Sequence, residues 1–162
     1  MTTFLTRTPV IWALFAASIL ITVGFGLMAP AVGGQYLDSI LTGAGAQEHL
    51  AAMTGPQRSA HFWITVLLDT AYPLAYGGFF AAMALRFFGR FGKLAALPAF
   101  ATIVIDLTEN TVQALALSGA ANVLDAKSWL TPLKFYLFEI AGVIAVIALV
   151  IAIVNMFRKK TA

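Results

Sequence analysis

The run GVIAVIALVIAIV, residues 142–154, contains no polar side chain. It belongs to an apolar segment at 130–157, and roughly 20 helical residues with a rise of 1.5 Å each cross a bilayer core of about 30 Å. The rest of the chain shares this bias, because 60% of its 162 residues are hydrophobic and only 10% are charged. A soluble domain carries about 25% charged residues. The composition therefore predicts a membrane protein.

Three more segments reach the length of a membrane-spanning helix, at 9–29, 60–85 and 94–117. Together with the last segment they predict an all-α, polytopic membrane protein, a bundle of four transmembrane helices. Residues 1–162 then form a single transmembrane domain.

The connection at 30–59 is the only sizeable polar piece of the chain. Glycine pairs and breaks separate two short helical patterns in it, near 36–41 and 47–53. We expect a short helical cap on the outer membrane face. Thr54-Gly55-Pro56 is expected to start the second helix before the bilayer, with the proline in the first turn.

The positions of lysine and arginine predict the orientation. Seven of the ten basic residues lie on one side of a four-span arrangement. By the positive-inside rule both termini are cytoplasmic, and we expect a multi-pass protein of a bacterial inner membrane. A cleaved signal peptide ending near Ala29-Pro30-Ala31 is the alternative for the first span, but its apolar run of about 21 residues exceeds the usual 7–15. The seven basic residues are Arg7, Arg86, Arg90, Lys93, Arg158, Lys159 and Lys160.

Several function classes are excluded by composition. The chain has no cysteine, so it forms neither disulfides nor thiolate metal sites, and it is no thiol oxidoreductase. Its two histidines, His49 and His61, lie outside or at the edge of the apolar runs, and we expect surface groups there rather than haem or metal ligands. The basic residues flank apolar runs instead of forming a stripe, which argues against nucleic acid. We predict no cofactor and no metal.

Five ionisable residues lie inside the spans, where each costs at least about 2.5–3.5 kcal/mol and is a functional candidate. Asp69 lies eight residues from the outer end of the second span, and Glu109 lies eight residues from the outer end of the third. All five fall in the outer half of the bilayer. They are Asp69, Asp106, Glu109, Lys134 and Glu139.

Helical spacing groups these residues with other polar side chains. Two sets have the spacing i, i+3, i+4, i+7, which puts each set on one face of its helix. Because the two stripes match in depth, we expect them to face each other inside the bundle. The sets are Asp69, Tyr72, Pro73 and Tyr76 in the second span, and Asp106, Glu109, Asn110 and Gln113 in the third.

Two prolines and a lysine refine this arrangement. Pro73 removes a backbone hydrogen bond and frees a carbonyl beside Asp69 for a partner. In the last span Pro132, Tyr136 and Glu139 share one face, while Lys134 points about 140° away from Glu139. We therefore expect Lys134 to meet a carboxylate of another helix, and Glu139 to face the same site or another subunit. Ser18 and Thr22 of the first span are expected to add hydroxyls to the interior.

Charge counting constrains the chemistry of the predicted site. Four carboxylates and one ammonium would bury three net negative charges, which is too costly to persist, so at least one carboxyl is expected to hold a proton. Asp106 and Glu109 are the candidate proton-handling pair, with Asp69 as electrostatic partner. The candidate ligand-binding residues are Tyr72, Tyr76, Asn110, Gln113, Lys134 and Glu139.

Three motifs resemble those of a family of small bacterial four-span membrane proteins. They are LDTAYPLAY at 68–76, DLTEN at 106–110 and TPLK at 131–134, which match the family's D-x-x-[FY]-P-x-x-Y, D-x-x-E-N and threonine-lysine signatures. The resemblance covers about residues 35–136 and implies four spans without a particular activity. The chain is more loosely similar to the four-helix fold of sterol isomerases and sigma-2-type receptors, in which outer acidic residues surround a pocket for a hydrophobic amine or carbocation.

Three functions fit these patterns. In the first, the protein binds or transforms a small lipid-like, hydrophobic or cationic ligand, and whether it is an enzyme stays open. In the second, it is a proton-coupled transporter subunit, for which four spans would need an oligomer. In the third, it is a structural or accessory subunit whose polar residues only fix helix packing. Membrane lipids are partners in each case, and small residues in the last span are a hint of a homo-oligomer, namely Ala141, Gly142, Ala145 and Ala148.

Overall fold

The computed structural model describes residues 2–160, and all regular structure in that range is helical. Short 3₁₀ turns at Ala29–Val32, Leu37–Ser39, Gly89–Phe91 and Leu124–Ala126 connect the helices, and one π-helical turn spans Thr65–Asp69. The helices are α1 (Thr2–Leu5), α2 (Thr8–Met28), α3 (Gly43–Ala52), α4 (Gly55–Ile64), α5 (Thr70–Phe87), α6 (Gly92–Ala95), α7 (Leu97–Ser118) and α8 (Lys127–Lys160).

Three helical segments of the described chain are long and apolar enough to cross a membrane. They lie at Thr8–Val32, Gly89–Ser118 and Leu124–Arg158, and they contain the predicted spans 9–29, 94–117 and 130–157. In length and composition these helices are those of a helical membrane protein. The fourth span stays a prediction.

The predicted span 60–85 falls within α4, the π-helical turn and α5, which follow one another without a loop. This stretch carries Asp69, Pro73 and two tyrosines, so it is less apolar than the other three. It is also the central element, because α5 packs against α2, α7 and α8. Because other helices surround α5 on three sides, it exposes less side-chain surface than the other long helices do. Fewer of its residues therefore need to be apolar.

The half of the bundle that lies away from residues 30–59, here called the inner half, is packed with small and aromatic side chains. Two buried clusters there consist largely of alanines, most of them from α5, α7 and α8. One cluster includes Ile11 of α2, and Phe80 of α5 packs against both. Small residues let helix backbones approach closely, which is the usual way helices associate in lipid.

The cap formed by residues 30–59 folds onto the end of the bundle where α7 ends and α8 begins, here called the outer end. Leu37 and Ala46 of the cap are fully buried against Ala116 of α7 and Leu124. The 3₁₀ turn Leu37–Ser39 and α3 correspond to the two predicted helical patterns. Because the cap is packed rather than loose, its polar residues have fixed positions over the helix ends.

The start of α4 confirms the prediction from Thr54-Gly55-Pro56. The Thr54 hydroxyl and the Gln57 side chain form a reciprocal capping box, and Pro56 lies in the first turn. Further along α4, Arg58 donates hydrogen bonds to the carbonyls of Ala116 (2.7 Å) and Leu117 (2.6 Å). Arg58 thereby caps the end of α7 and ties the two helices together.

Candidate functional site

The predicted polar stripes of the second and third spans meet in the interior. The Tyr76 hydroxyl donates to Asp106 Oδ2 at 2.6 Å, which joins α5 to α7. Both side chains are buried, as are most other members of the stripes. The expectation that the stripes face each other is confirmed. The remaining buried members are Asp69, Pro73, Glu109, Asn110 and Gln113.

The backbone beside Asp69 is shaped by Pro73. Pro73 lacks the N–H that would bond the Asp69 carbonyl in a regular helix, and a π-helical turn ends at Asp69. The Asn110 amide nitrogen donates to the Asp69 carbonyl at 2.7 Å. The Asp69 carbonyl that Pro73 leaves free therefore has a hydrogen-bond donor, as predicted, and this donor is a side chain of α7.

Lys134 contacts carboxylates from other elements. Its Nζ lies 2.8 Å from Glu109 Oε2 and 3.6 Å from Asp106 Oδ1, both on α7. It also forms an ion pair with Asp38 of the cap. The prediction that Lys134 meets a carboxylate of another helix, rather than Glu139, is confirmed.

Lys127 is a site residue that the hydropathy pattern does not reveal, because it precedes the apolar segment 130–157. It is fully buried and forms an ion pair with Glu109 Oε1. The Thr131 hydroxyl donates to the same oxygen at 2.6 Å and lies 3.1 Å from Lys127 Nζ. A signal was present, since Lys127, Thr131 and Lys134 are spaced i, i+4, i+7 and so share one helical face.

Asp38 is a second missed residue, and it comes from the cap. Besides its ion pair with Lys134, its Oδ1 accepts a hydrogen bond from the Gln113 amide at 3.4 Å. One carboxylate oxygen each of Asp38, Asp69 and Asp106 lie within 4.8 Å of one another. No periodicity marked Asp38, because it lies in a three-residue 3₁₀ turn.

Glu139 stands apart from this cluster. Its side chain is exposed and lines a separate groove on α8 with Phe138, Gly142 and Val143. Pro132 and Tyr136, which share its face, are exposed as well. The sequence predicts that Glu139 faces either the acidic site or another subunit. The structure does not place it at the acidic cluster of α5 and α7.

The hydroxyls of the first span contribute unequally. Thr22 Oγ1 lies 3.1 Å from the Tyr72 hydroxyl, so it reaches the aromatic edge of the site. The Ser18 hydroxyl donates to the Phe15 carbonyl within α2 at 2.8 Å. Only Thr22 therefore extends the site as expected.

The histidines differ from each other. His61 is only 1% exposed, and its Nε2 accepts a hydrogen bond from the Leu37 backbone N–H at 3.3 Å. The expectation of a surface group is wrong for His61, because the cap folds over it. His49 is partly exposed, and its Nε2 lies 3.1 Å from the Gln35 carbonyl.

A cavity of about 140 Å³ opens beside the cluster. Charged side chains line one part of it and aromatic rings line the other. Its volume is several times the share of one water molecule in the liquid, about 30 Å³. The lining residues are Asp38, Asp106, Lys134, Tyr72, Tyr76, Phe135 and Phe138.

The cluster carries excess negative charge. Four carboxyls and two lysines give a net charge of −2 when all are ionised, in place of the −3 expected from the sequence. Glu139 drops out of the count, while Asp38 and Lys127 enter it. A buried site with excess negative charge favours binding of a proton or a cation.

The chain matches no family model, no curated protein and no solved structure. The resemblance to small bacterial four-span proteins therefore stays a prediction, as does the looser one to sterol isomerases and sigma-2-type receptors. Function has to be argued from the cluster and its cavity.

Proposed function

We propose that this chain is a four-span membrane protein whose outer pocket binds a small amphipathic ligand with a cationic head. The observation that carries the proposal is the cavity lined by Asp38, Asp106, Lys134 and four aromatic rings, beside a cluster whose net charge is −2 when all its groups are ionised. Carboxylates and aromatic faces together are the surroundings that stabilise an ammonium group.

The details of the cavity support a ligand with an apolar tail. Asp106 Oδ1 has no hydrogen-bond partner, although its residue is only 4% exposed. Phe135 lines the cavity and is 39% exposed on the outside of α8. A head placed against Asp106 thus leaves room for a tail that passes Phe135 toward the lipid.

Two observations favour ligand binding over the alternatives. A proton path across the membrane would need ionisable groups in the inner half, but the buried ionisable side chains among the described residues all lie in the outer half. A network that served packing alone would pair its buried groups. The Asp69 carboxylate has no hydrogen-bond or ion-pair partner among the described residues, although Asp69 is only 5% exposed.

The topology is part of the same proposal. The segment 60–85 crosses the membrane because α5 lies among the three apolar helices, and both termini face the cytoplasm of a bacterial inner membrane. Trp63 and Trp129, each 57% exposed, support an outer interface at the level of the cluster.

The topology can be tested cleanly, since the chain has no cysteine of its own. Single cysteines are introduced as Thr42→Cys in the cap and Arg90→Cys between α5 and α6. In intact cells a membrane-impermeant maleimide should label the first and not the second. Labelling of both, or of Arg90→Cys alone, would contradict the proposed orientation.

Ligand binding is tested on the full chain in a neutral maltoside detergent. We expect submicellar dodecyltrimethylammonium to raise the melting temperature, whereas uncharged dodecanol of the same chain length should not. Asp106→Asn should abolish the shift, and Glu139→Gln, which changes an exposed carboxyl outside the cavity, should keep it. An equal shift in Asp106→Asn would refute the pocket. Native mass spectrometry of the extracted protein then identifies a co-purifying ligand.

A further inference from the structure

Three carboxylates from separate parts of the fold converge at one point. Asp38 comes from the cap, Asp69 from the π-helical turn and Asp106 from the middle of α7. One oxygen of each lies within 4.8 Å of the other two. Like charges this close repel, so the arrangement needs a compensating positive charge.

The two lysines of the site do not supply all of that charge. Lys127 pairs with Glu109, and Lys134 lies within ion-pair distance of Asp38, Asp106 and Glu109, so one ammonium group serves three carboxylates. The Asp69 carboxylate contacts neither of them within ion-pair distance and has no hydrogen-bond donor among the described residues. A carboxylate that is 5% exposed and unpartnered is a strong indication of a missing ligand.

We propose that Asp38, Asp69 and Asp106 bind one calcium ion. Calcium takes oxygen ligands at 2.3–2.6 Å, so two oxygens on opposite sides of the ion are about 4.8 Å apart, which the cluster already satisfies. Magnesium demands a near-ideal octahedron and usually keeps several of its waters, so it is less suited to a site built from protein oxygens. The outer position of the cluster suits the weaker affinities typical of extracellular calcium sites.

Two neutral side-chain oxygens of α7 are candidates to complete the set of ligands. Asn110 Oδ1 and Gln113 Oε1 are buried without hydrogen-bond partners. The amide nitrogens of these residues contact the Asp69 carbonyl and the Asp38 carboxylate, respectively, so both amide groups border the cluster. Calcium prefers six to eight oxygen ligands, and mixed carboxylate, amide and water sets are common.

The charges also balance with calcium. When its four carboxyls and two lysines are all ionised the site carries −2, and one divalent cation brings it to zero. The ion site does not depend on the amphiphile, but its expected affinity rests on the proposed topology, in which the cluster lies on the outer side. If both proposals hold, the ion and an ammonium head compete for the same negative charge, so calcium should weaken amphiphile binding.

The test is isothermal titration of metal-stripped full-length protein with calcium chloride alone, in maltoside at pH 7.5 and without amphiphile. We expect one saturable site with a Kd of about 10⁻⁴–10⁻³ M and at least ~10-fold weaker binding of magnesium. Asp69→Asn should weaken calcium binding at least ~10-fold. The matched control Asp125→Asn changes an exposed carboxylate that only accepts a hydrogen bond from Gln47, and it should bind as the wild type does.

Calcium should also raise the melting temperature of the wild type more than magnesium does. This second measurement decides the question if Asp69→Asn fails to fold. The absence of saturable binding up to about ten times the upper expected Kd overturns the proposal, and so does equal loss in Asp125→Asn. A melting shift with dodecyltrimethylammonium but none with calcium would support the amphiphile pocket and overturn the calcium site.

Discussion

The outer and inner halves of the bundle hold the same helices together in different ways. In the outer half, charged and amide side chains bridge α5, α7 and α8, and a cavity remains between them. In the inner half, alanines of those helices pack directly against each other. The hydrophobic effect does not drive helices together in lipid, because lipid tails are as apolar as the side chains. Close packing or polar contacts must therefore stabilise the association of the helices. Within the described part of the chain, the buried polar side-chain atoms without a hydrogen-bond partner lie in the outer half.

On α5, the change from polar contacts to close packing of the helices occurs between two adjacent residues. Tyr76 bonds to Asp106, whereas a Cβ added at the next residue, Gly77, would lie 2.4 Å from Ile103 Cγ1. The same pair of helices is thus joined by a hydrogen bond at one level and by backbone approach at the next. Substitutions at the two levels test whether the halves contribute stability separately.

The largest effect is expected from Lys127→Met in the outer half. It leaves Glu109 buried with one of its two lysine partners missing, which typically costs about 3–5 kcal/mol of unfolding free energy. Unfolding in mixed maltoside and dodecyl sulfate micelles measures the loss. The control Lys93→Met removes an exposed lysine of α6 and should change little. The double variant with Glu109→Gln should recover much of the loss, and failure to recover would contradict a charge effect.

In the inner half, Gly77→Ala should cost about 1–3 kcal/mol, because the added methyl forces Ile103 to move. The control is Gly26→Ala, since a Cβ on that residue of α2 meets nothing within 4 Å. Its effect should be neutral or stabilising by up to about 1 kcal/mol through helix propensity. Thermal unfolding compares the two variants. Equal stability would mean that close approach of α5 and α7 is not what holds the inner half together.

A smaller loss, about 1–2 kcal/mol, is expected from Asn110→Leu. The Asp69 carbonyl loses its donor, and the cost of a buried unsatisfied acceptor follows. Asn155→Leu changes an exposed asparagine of α8 and serves as the control. Calcium titration of Asn110→Leu gives a second readout, because loss of the amide oxygen should weaken binding. Stability and calcium affinity equal to those of Asn155→Leu would argue against a role for Asn110 in the cluster.

The smallest effect, about 1 kcal/mol, is expected from Thr54→Ala at the cap. It removes the hydroxyl that accepts from the Gln57 backbone N–H at the start of α4. Thr111→Ala removes an exposed hydroxyl bonded within its own helix and should be closer to neutral. The melting temperature checks both variants. A much larger loss in Thr54→Ala would show that the cap, rather than either half of the bundle, limits stability.

Much of the site could be predicted from the sequence because it lies on regular helices. Asp106 and its polar neighbours on α7 follow a helical period, and Pro73 leaves the Asp69 carbonyl without its helical hydrogen-bond donor. The contact between α5 and α7 could therefore be predicted. Lys127 was missed because α8 begins three residues before the apolar run that marked it. Asp38 and His61 were missed because the position of the cap depends on packing between distant parts of the chain.

By itself the sequence determined the lengths of the apolar helices and which side chains share a helical face. Both follow from local rules, since bilayer thickness sets the first and the helical repeat sets the second. Only the tertiary structure decided that Lys134 faces the interior while Glu139 faces outward. It also decided that Asp38 of the cap lies against the acidic cluster. A helical repeat fixes the angle between two side chains of one helix, but the direction in which either points is set by the neighbours against which the helix packs.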